Sequence, residues 1–197
     1  MGIKKILLLC CMMIFSQNLL ANEQIKLQEH FLSKIDKIVS IVKDKNLSAT
    51  KRNAEIVTLL TPTFDFELMA KLSLGKKWKQ VPKKDRQKFI DLYVKRMENS
   101  YSSKLDSYSN ETVRIKEIKQ PKKNRIAIVT DLVTQDKELE IIYKFHKPKR
   151  PKKDKDTWLI YDVEILGISI LKADKAQFRE FLKTKTIDDL MDVLVKS

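Results

Sequence analysis

The sequence predicts an α+β domain in which a run of helices is followed by a meander of antiparallel strands and then by two short helices. Three observations carry this reading. Apolar residues recur at helical spacing from Phe31 to Tyr108. The period then switches to two between Thr112 and Ile165, and a helical period returns from Lys172 onward. Helices and strands sorted into blocks, instead of alternating one by one, indicate an antiparallel sheet with helices packed against it.

The N-terminus reads as a leader. Lys4 and Lys5 precede an apolar run from Ile6 to Phe15, and Leu19-Leu20-Ala21 ends it on a small residue. That is the positive, apolar, small-residue order of a secretory signal peptide. The run is shorter than the roughly 20 apolar residues that a spanning helix needs. Residues 1–21 are therefore expected to be a cleavable signal peptide, with 22–197 forming a single domain and an exported, periplasmic location. Cys10 and Cys11 both lie in the leader, so a disulfide framework or a cysteine-ligated metal is not expected in the mature chain.

Residues 22–44 read as an amphipathic helix, with Phe31, Ile35, Ile38 and Val42 on one stripe. A second helix from Thr50 to Leu60 stops before Pro62. Asp65 is placed to cap a short helix that puts Phe66, Met69 and Ala70 on one face. Gly75 breaks the chain ahead of Trp78, and Pro82 opens what the spacing predicts to be the longest helix. Its stripe is Phe89, Leu92, Tyr93, Met97, Tyr101, Leu105 and Tyr108.

The first strand, Thr112 to Ile118, carries Val113, Ile115 and Ile118 only partly in register with a period of two. Arg125 to Thr134 and Glu138 to His146 are cleaner and share a turn at Gln135-Asp136-Lys137. The latter strand puts Leu139, Ile141, Tyr143 and Phe145 on one face. A lysine- and proline-rich loop from Lys147 to Asp156 leads to a strand over Trp158 to Ile165, and helices are expected over 172–184 and 187–196.

The chain has 40 Lys and Arg against 26 Asp and Glu, a formal charge of +14. Such a balance suits nucleic acid or an anionic membrane surface. Export argues against nucleic acid and toward anionic lipid, while a simple solvating surface accounts for the lysines equally well. The catalytic inventory is thin. His30 and His146 are the only histidines and neither has an obvious partner in the sequence. Zinc-protease, nucleophile-elbow and phosphate-loop patterns do not occur, and the chain has only three glycines. Asp188 and Asp189 are adjacent, so they point different ways on a helix and read as helix-start charges. The expectation is a protein that binds, not an enzyme.

Several blocks then acquire a common meaning. Phe64-Asp65-Phe66-Glu67 with Met69-Ala70 is followed by Leu74-Gly75 and Trp78. Arg86-Gln87 with Phe89 precedes Tyr101 and Tyr108. Trp158, Tyr161-Asp162-Val163 and Gly167-Ile168-Ser169 lead to Phe178-Arg179 and to Lys183-Thr184-Lys185 with Ile187-Asp188 and Leu190. In order and spacing this resembles the MlaC family of periplasmic phospholipid shuttles, also called toluene-tolerance or ABC-transporter auxiliary proteins. Leu166 stands where that pattern commonly has an acidic residue, and the basic loop is longer than usual.

The resemblance implies a helical layer on a curved antiparallel sheet, like the cones of nuclear-transport-factor-type domains. It implies no cofactor, with phospholipid as cargo whose tails lie inside an apolar pocket and whose head group stays outside. Its implied partners are an outer-membrane lipoprotein complex and an inner-membrane ABC-transporter complex with its substrate-binding subunit. The lining expected on the helices is Phe66, Met69, Trp78, Phe89, Tyr93, Met97 and Tyr101. On the strands it is Ile128, Leu132, Ile141, Tyr143, Phe145, Tyr161, Val163 and Ile165, with Ile168 beyond. Asp162 and Ser169 are read as structural anchors. A carrier for another hydrophobe (a hopanoid or a solvent), a cavity enzyme and a purely structural adaptor are the rival readings.

Overall fold

A computed structural model describes the backbone of residues 3–105, 112–134 and 137–196, and the side chains of 22–100, 112–134 and 137–196. Among the described residues, six α-helices and five strands follow one another as α1 (Ile3–Lys43), α2 (Ala49–Leu60), α3 (Phe66–Leu74), α4 (Arg86–Leu105), β1 (Thr112–Lys122), β2 (Arg125–Val133), β3 (Glu138–His146), β4 (Leu159–Ile165), β5 (Ile168–Ser169), α5 (Ile170–Phe181) and α6 (Ile187–Val195). Short 3-10 turns join α2 to α3 and α3 to α4. The α+β class and the antiparallel meander are as the sequence predicts: the strands pair in sequence order, each antiparallel to the next.

Local chemistry sets the helix starts. The Asp65 carboxylate accepts from the Leu68 amide at 3.1 Å, as its N-cap position predicts. Ser169 caps α5 through the Lys172 amide at 3.0 Å, so that helix begins at Ile170 instead of Lys172. Thr186 and Asp189 form a reciprocal capping box at α6, which gives one of the two adjacent aspartates its place. The longest helix is α1, with 41 residues, not the one after Pro82. Pro82 instead precedes a 3-10 turn, and α4 starts at Arg86 and has 20 residues. Tyr101 lies in α4, but its side chain is outside those described, and Tyr108 is outside the described residues altogether.

Two bulges explain the uneven patterning of the strands. The register of β1 against β2 slips between Ile115 and Glu117. One extra residue there returns Ile118 to the face of Val113 and Ile115, which strict alternation would not do. A second slip lies opposite Lys144 and Phe145, where Tyr161 is the extra residue. It puts Ile160 on the same face as Val163 and sends Tyr161 to the other, under the Arg125 guanidinium at 4.6 Å.

The apolar residues form two cores. One lies among α3, α4, α5 and α6 and holds Met69, Trp78, Phe89, Tyr93, Met97 and Phe178. Phe89 and Tyr93 are completely buried there, and the Phe178 ring meets both edge-on at 6.3 Å. The second core lies between α1 and the inner face of the sheet: Leu27 and Phe31 pack on Ile126, Ile128, Phe145, Trp158, Ile160 and Val163. Phe64 and Ile170 adjoin both cores and tie the helical layer to the β4 edge.

Candidate functional site: an apolar cavity under α1

Between α1 and the inner face of the sheet the packing is incomplete. A cavity of about 240 Å³ remains, just below the roughly 300–1,000 Å³ of ordinary ligand pockets. Its helical wall is Phe31, Ile35, Ile38, Val39 and Val42, the stripe that makes α1 amphipathic. Its floor is Val113, Leu132, Ile141, Tyr143, Phe145 and Ile160 from four successive strands. Phe31 closes one end, edge-on to Tyr143 at 4.9 Å and to Phe145 at 6.1 Å. Toward Val42, Val113 and Ile141 the lining residues are only half-buried, so the cavity opens at that end.

Polar groups gather at one wall and are all engaged. Asp156 Oδ2 lies 3.0 Å from His30 Nε2, from Lys34 Nζ and from the Thr63 hydroxyl that donates to it. Lys34 also donates to Thr63 Oγ1 at 2.7 Å and to the Leu59 carbonyl at 3.3 Å. Burial alone would raise the Asp156 carboxyl, but hydrogen bonds from His30, Lys34 and Thr63 outweigh it and hold it below the usual carboxylate range. This cluster pins α1 to the turn after α2 and to the strand-leading loop. It fixes one wall of the cavity.

A second buried polar cluster lies outside the cavity. Asp65 Oδ2 is 2.8 Å from His146 Nε2, and its Oδ1 accepts from Lys152 at 2.7 Å. Desolvation opposes the charge, yet His146, Lys152 and the Leu68 amide together hold Asp65 well below the usual carboxylate range. Both histidines thus have carboxylate partners that sequence spacing did not suggest, since those partners lie 126 and 81 positions away. Asp162 accepts from Ser169 Oγ at 2.8 Å, from the Leu171 amide at 3.1 Å and from Lys144 at 3.0 Å. That arrangement anchors β4 to the start of α5. Among the described residues, no group of three or more His, Cys, Asp or Glu is placed to hold a metal ion.

Of the strand residues named from the sequence, Leu132, Ile141, Tyr143 and Phe145 line the cavity. Ile128, Val163 and Ile165 pack in the sheet core beside it. Ile168 continues the same row at the sheet edge with 66% exposure, while Tyr161 is on the outer face. The helical residues lie elsewhere. Met69, Trp78, Phe89, Tyr93 and Met97 fill the helical core, and Phe66 packs against that core and stacks on Phe64. The helical wall that sequence reasoning did not assign to the site is α1. Its signal was the stripe Phe31, Ile35, Ile38 and Val42, which reads equally as an ordinary core face.

Fold and cavity together define the class: an α+β protein whose antiparallel sheet and long amphipathic helix enclose an apolar chamber. The model of the MlaC protein family matches residues 33–196, and the chain belongs to that family. It is 24% identical over 138 residues to the intermembrane phospholipid transport system binding protein MlaC of Haemophilus influenzae, covering 70% of this chain. The chain spans 64% of that relative's length. The phospholipid-binding protein of Ralstonia solanacearum, solved in complex with a phospholipid, has the same fold. That likeness has a TM-score of 0.73 at 18% identity and covers 86% of this chain and 94% of the other.

Proposed function

We propose that this chain is a periplasmic phospholipid carrier that holds acyl chain in the cavity under α1 and leaves the head group outside. The observation that carries the reading is the cavity itself: a chamber walled by aliphatic and aromatic side chains from α1 and four strands, with its few polar groups already paired. Family membership supports it, as do the phospholipid in the related solved structure and the name of the Haemophilus relative.

Transfer energetics give the mechanism. Burying one methylene contributes about 0.8 kcal/mol, so two long acyl chains represent about 20 kcal/mol at the upper bound. Lipid held that tightly does not leave into water at a useful rate. Release therefore needs a docked partner that offers another apolar path. On this reading the partners are an outer-membrane lipoprotein complex and the substrate-binding subunit of an inner-membrane ABC transporter, and the traffic maintains outer-membrane lipid asymmetry. The work is binding and exchange, with no cofactor and no covalent step. Residues 1–21 serve as the export signal.

The test is to fill the cavity. Leu132→Trp puts an indole into the chamber and is expected to lower co-purified lipid phosphorus about tenfold, the ratio that 1.4 kcal/mol produces. Met97→Leu, in the helical core, is expected to leave lipid content unchanged. Equal lipid content in the wild type and a folded Leu132→Trp variant would exclude this cavity as the binding site.

A further inference from the structure

The connection between α3 and α4 concentrates the charge of the molecule. Residues 71–88 hold seven lysines and one arginine against a single acid, Asp85. Half of the net charge of +14 thus lies in one short stretch. The helical core fixes its shape, because Leu74, Trp78 and Val81 are buried while the lysines between them face solvent. Gly75–Gln80 form a 3-10 turn, in which positions three apart eclipse. Lys76 and Lys79 therefore share one row, Lys77 leads a second, and Trp78 takes the buried third.

The neighbouring segments add to the same patch. Arg86 lies over the Trp78 ring at 5.4 Å and donates from Nε to the Val81 carbonyl at 3.3 Å, which folds Lys83, Lys84 and Lys88 back beside the turn. From α5, Lys175 reaches Gly75, where a Cβ would meet its Cε at 3.1 Å. Every lysine from Lys71 to Lys88 is exposed, as is Lys175. None of their ammonium groups has an ion pair or hydrogen-bond partner among the described residues. Elsewhere Lys34, Lys116, Lys144, Lys147 and Lys152 each hold a carboxylate. Like charges gathered by a fold and left unpaired repel one another, and an external anion relieves that repulsion.

The chemistry of the patch selects the anion. Protein interfaces are anchored by aromatic side chains and arginine and are depleted in lysine. Here the indole is turned inward and the one arginine is engaged on it. Nucleic acid is likewise read by arginine forks and exposed rings. What remains is lysine, a point charge on a flexible stem that needs no fixed partner geometry. That suits a fluid layer of phosphate head groups.

We propose that this patch is an electrostatic landing surface for a bilayer containing anionic phospholipid. It extends the carrier reading without depending on it, since none of these lysines lines the cavity. Landing brings the protein to a membrane whatever the cavity holds.

The experiment measures co-sedimentation of the purified protein with mixed phosphatidylglycerol–phosphatidylcholine vesicles and with pure phosphatidylcholine vesicles. The neutral vesicles report any attachment through apolar segments. A patch variant changes Lys76, Lys77, Lys79, Lys83 and Lys84 to Gln. A control variant of equal charge changes Lys45, Lys51, Lys122, Lys123 and Lys137 to Gln. The wild type is expected to prefer the anionic vesicles and to lose that preference as salt is raised. Each lysine that reaches the head groups strengthens attachment about fivefold, so the patch variant is expected to bind about a hundredfold more weakly. The control variant should fall much less, and all three proteins should keep the same co-purified lipid phosphorus. An equal fall in both variants would overturn the proposal, because only net charge would then matter. Undiminished binding by the patch variant would overturn it too, as would equal binding of the wild type to both kinds of vesicle. A wild type that ignores anionic vesicles would overturn it and leave an acidic protein surface as the occupant. A wild type that carries no lipid yet lands on anionic vesicles through these lysines would sink the carrier reading alone.

Discussion

Asp156 is where a single residue decides the geometry of the site. Three groups from two elements converge on its carboxylate: His30 and Lys34 belong to the helix that walls the cavity, and Thr63 to the 3-10 turn after α2. Asp156→Ala leaves Lys34, whose side chain is 12% exposed, without its counter-charge. The loss is expected to cost about 2–4 kcal/mol, seen as a lower urea midpoint, and to speed lipid loss to acceptor vesicles. Acid should act through the same groups. Asp156 and Asp65 both sit below the usual carboxylate range when folded. Their stabilisation is therefore fully present above the unfolded value near 4 and is lost as pH falls through the folded values. Urea midpoints are expected to drop steeply below about pH 4, and the drop should be shallower in Asp156→Asn. A parallel pH profile for wild type and variant would contradict this. None of these pairings was legible in the sequence, because each joins residues too distant in the chain for spacing to suggest them. Asp65 as an N-cap was legible, because its partner lies three positions away, and Asp162 and Ser169 were legible as anchors, though not as partners of each other.

At the scale of elements, α1 has two roles. Leu27 and Phe31 bury themselves against the sheet, at 5% exposure each, while Ile35 to Val42 roof the cavity. Phe31→Ala removes the ring that closes one end and is expected to destabilise the fold by about 3–5 kcal/mol, read from denaturant unfolding. Hydrogen exchange should show α1 opening at lower free energy than α4, which is held by the completely buried Phe89 and Tyr93. Bound lipid is expected to slow exchange in Ile35–Val42 more than in α4. Equal slowing in both helices would place the lipid elsewhere. Sequence patterning identified almost every helix and strand, including the uncertain register of β1, whose bulge is the physical source of that uncertainty. It could not say which amphipathic helix faces the sheet. The aromatic and methionine stripe of α4 and the aliphatic stripe of α1 carry the same periodicity, and only tertiary packing separates a filled core from a roofed cavity.

On the scale of the whole molecule, two cores divide the labour. The helical core holds the layer beside β4, whereas the sheet core is left open toward Val113 and Ile141. A cavity of about 240 Å³ is smaller than a full diacyl lipid fills, so loading is expected to expand the space between α1 and the sheet while the helical core stays unchanged. The overall architecture was legible because long periodic segments and their order restrict the topology to few choices. Family blocks such as Trp158 to Ser169 added the rest, since they fall at the β4–β5 edge and the start of α5, where the chain turns sharply and buries polar anchors.

Whether this chain carries phospholipid is read from native mass spectrometry of the purified protein, followed by extraction and lipid analysis. A stoichiometric phospholipid adduct is expected, and it is expected to be lost in Leu132→Trp. An empty protein that also takes up no lipid from vesicles would contradict it.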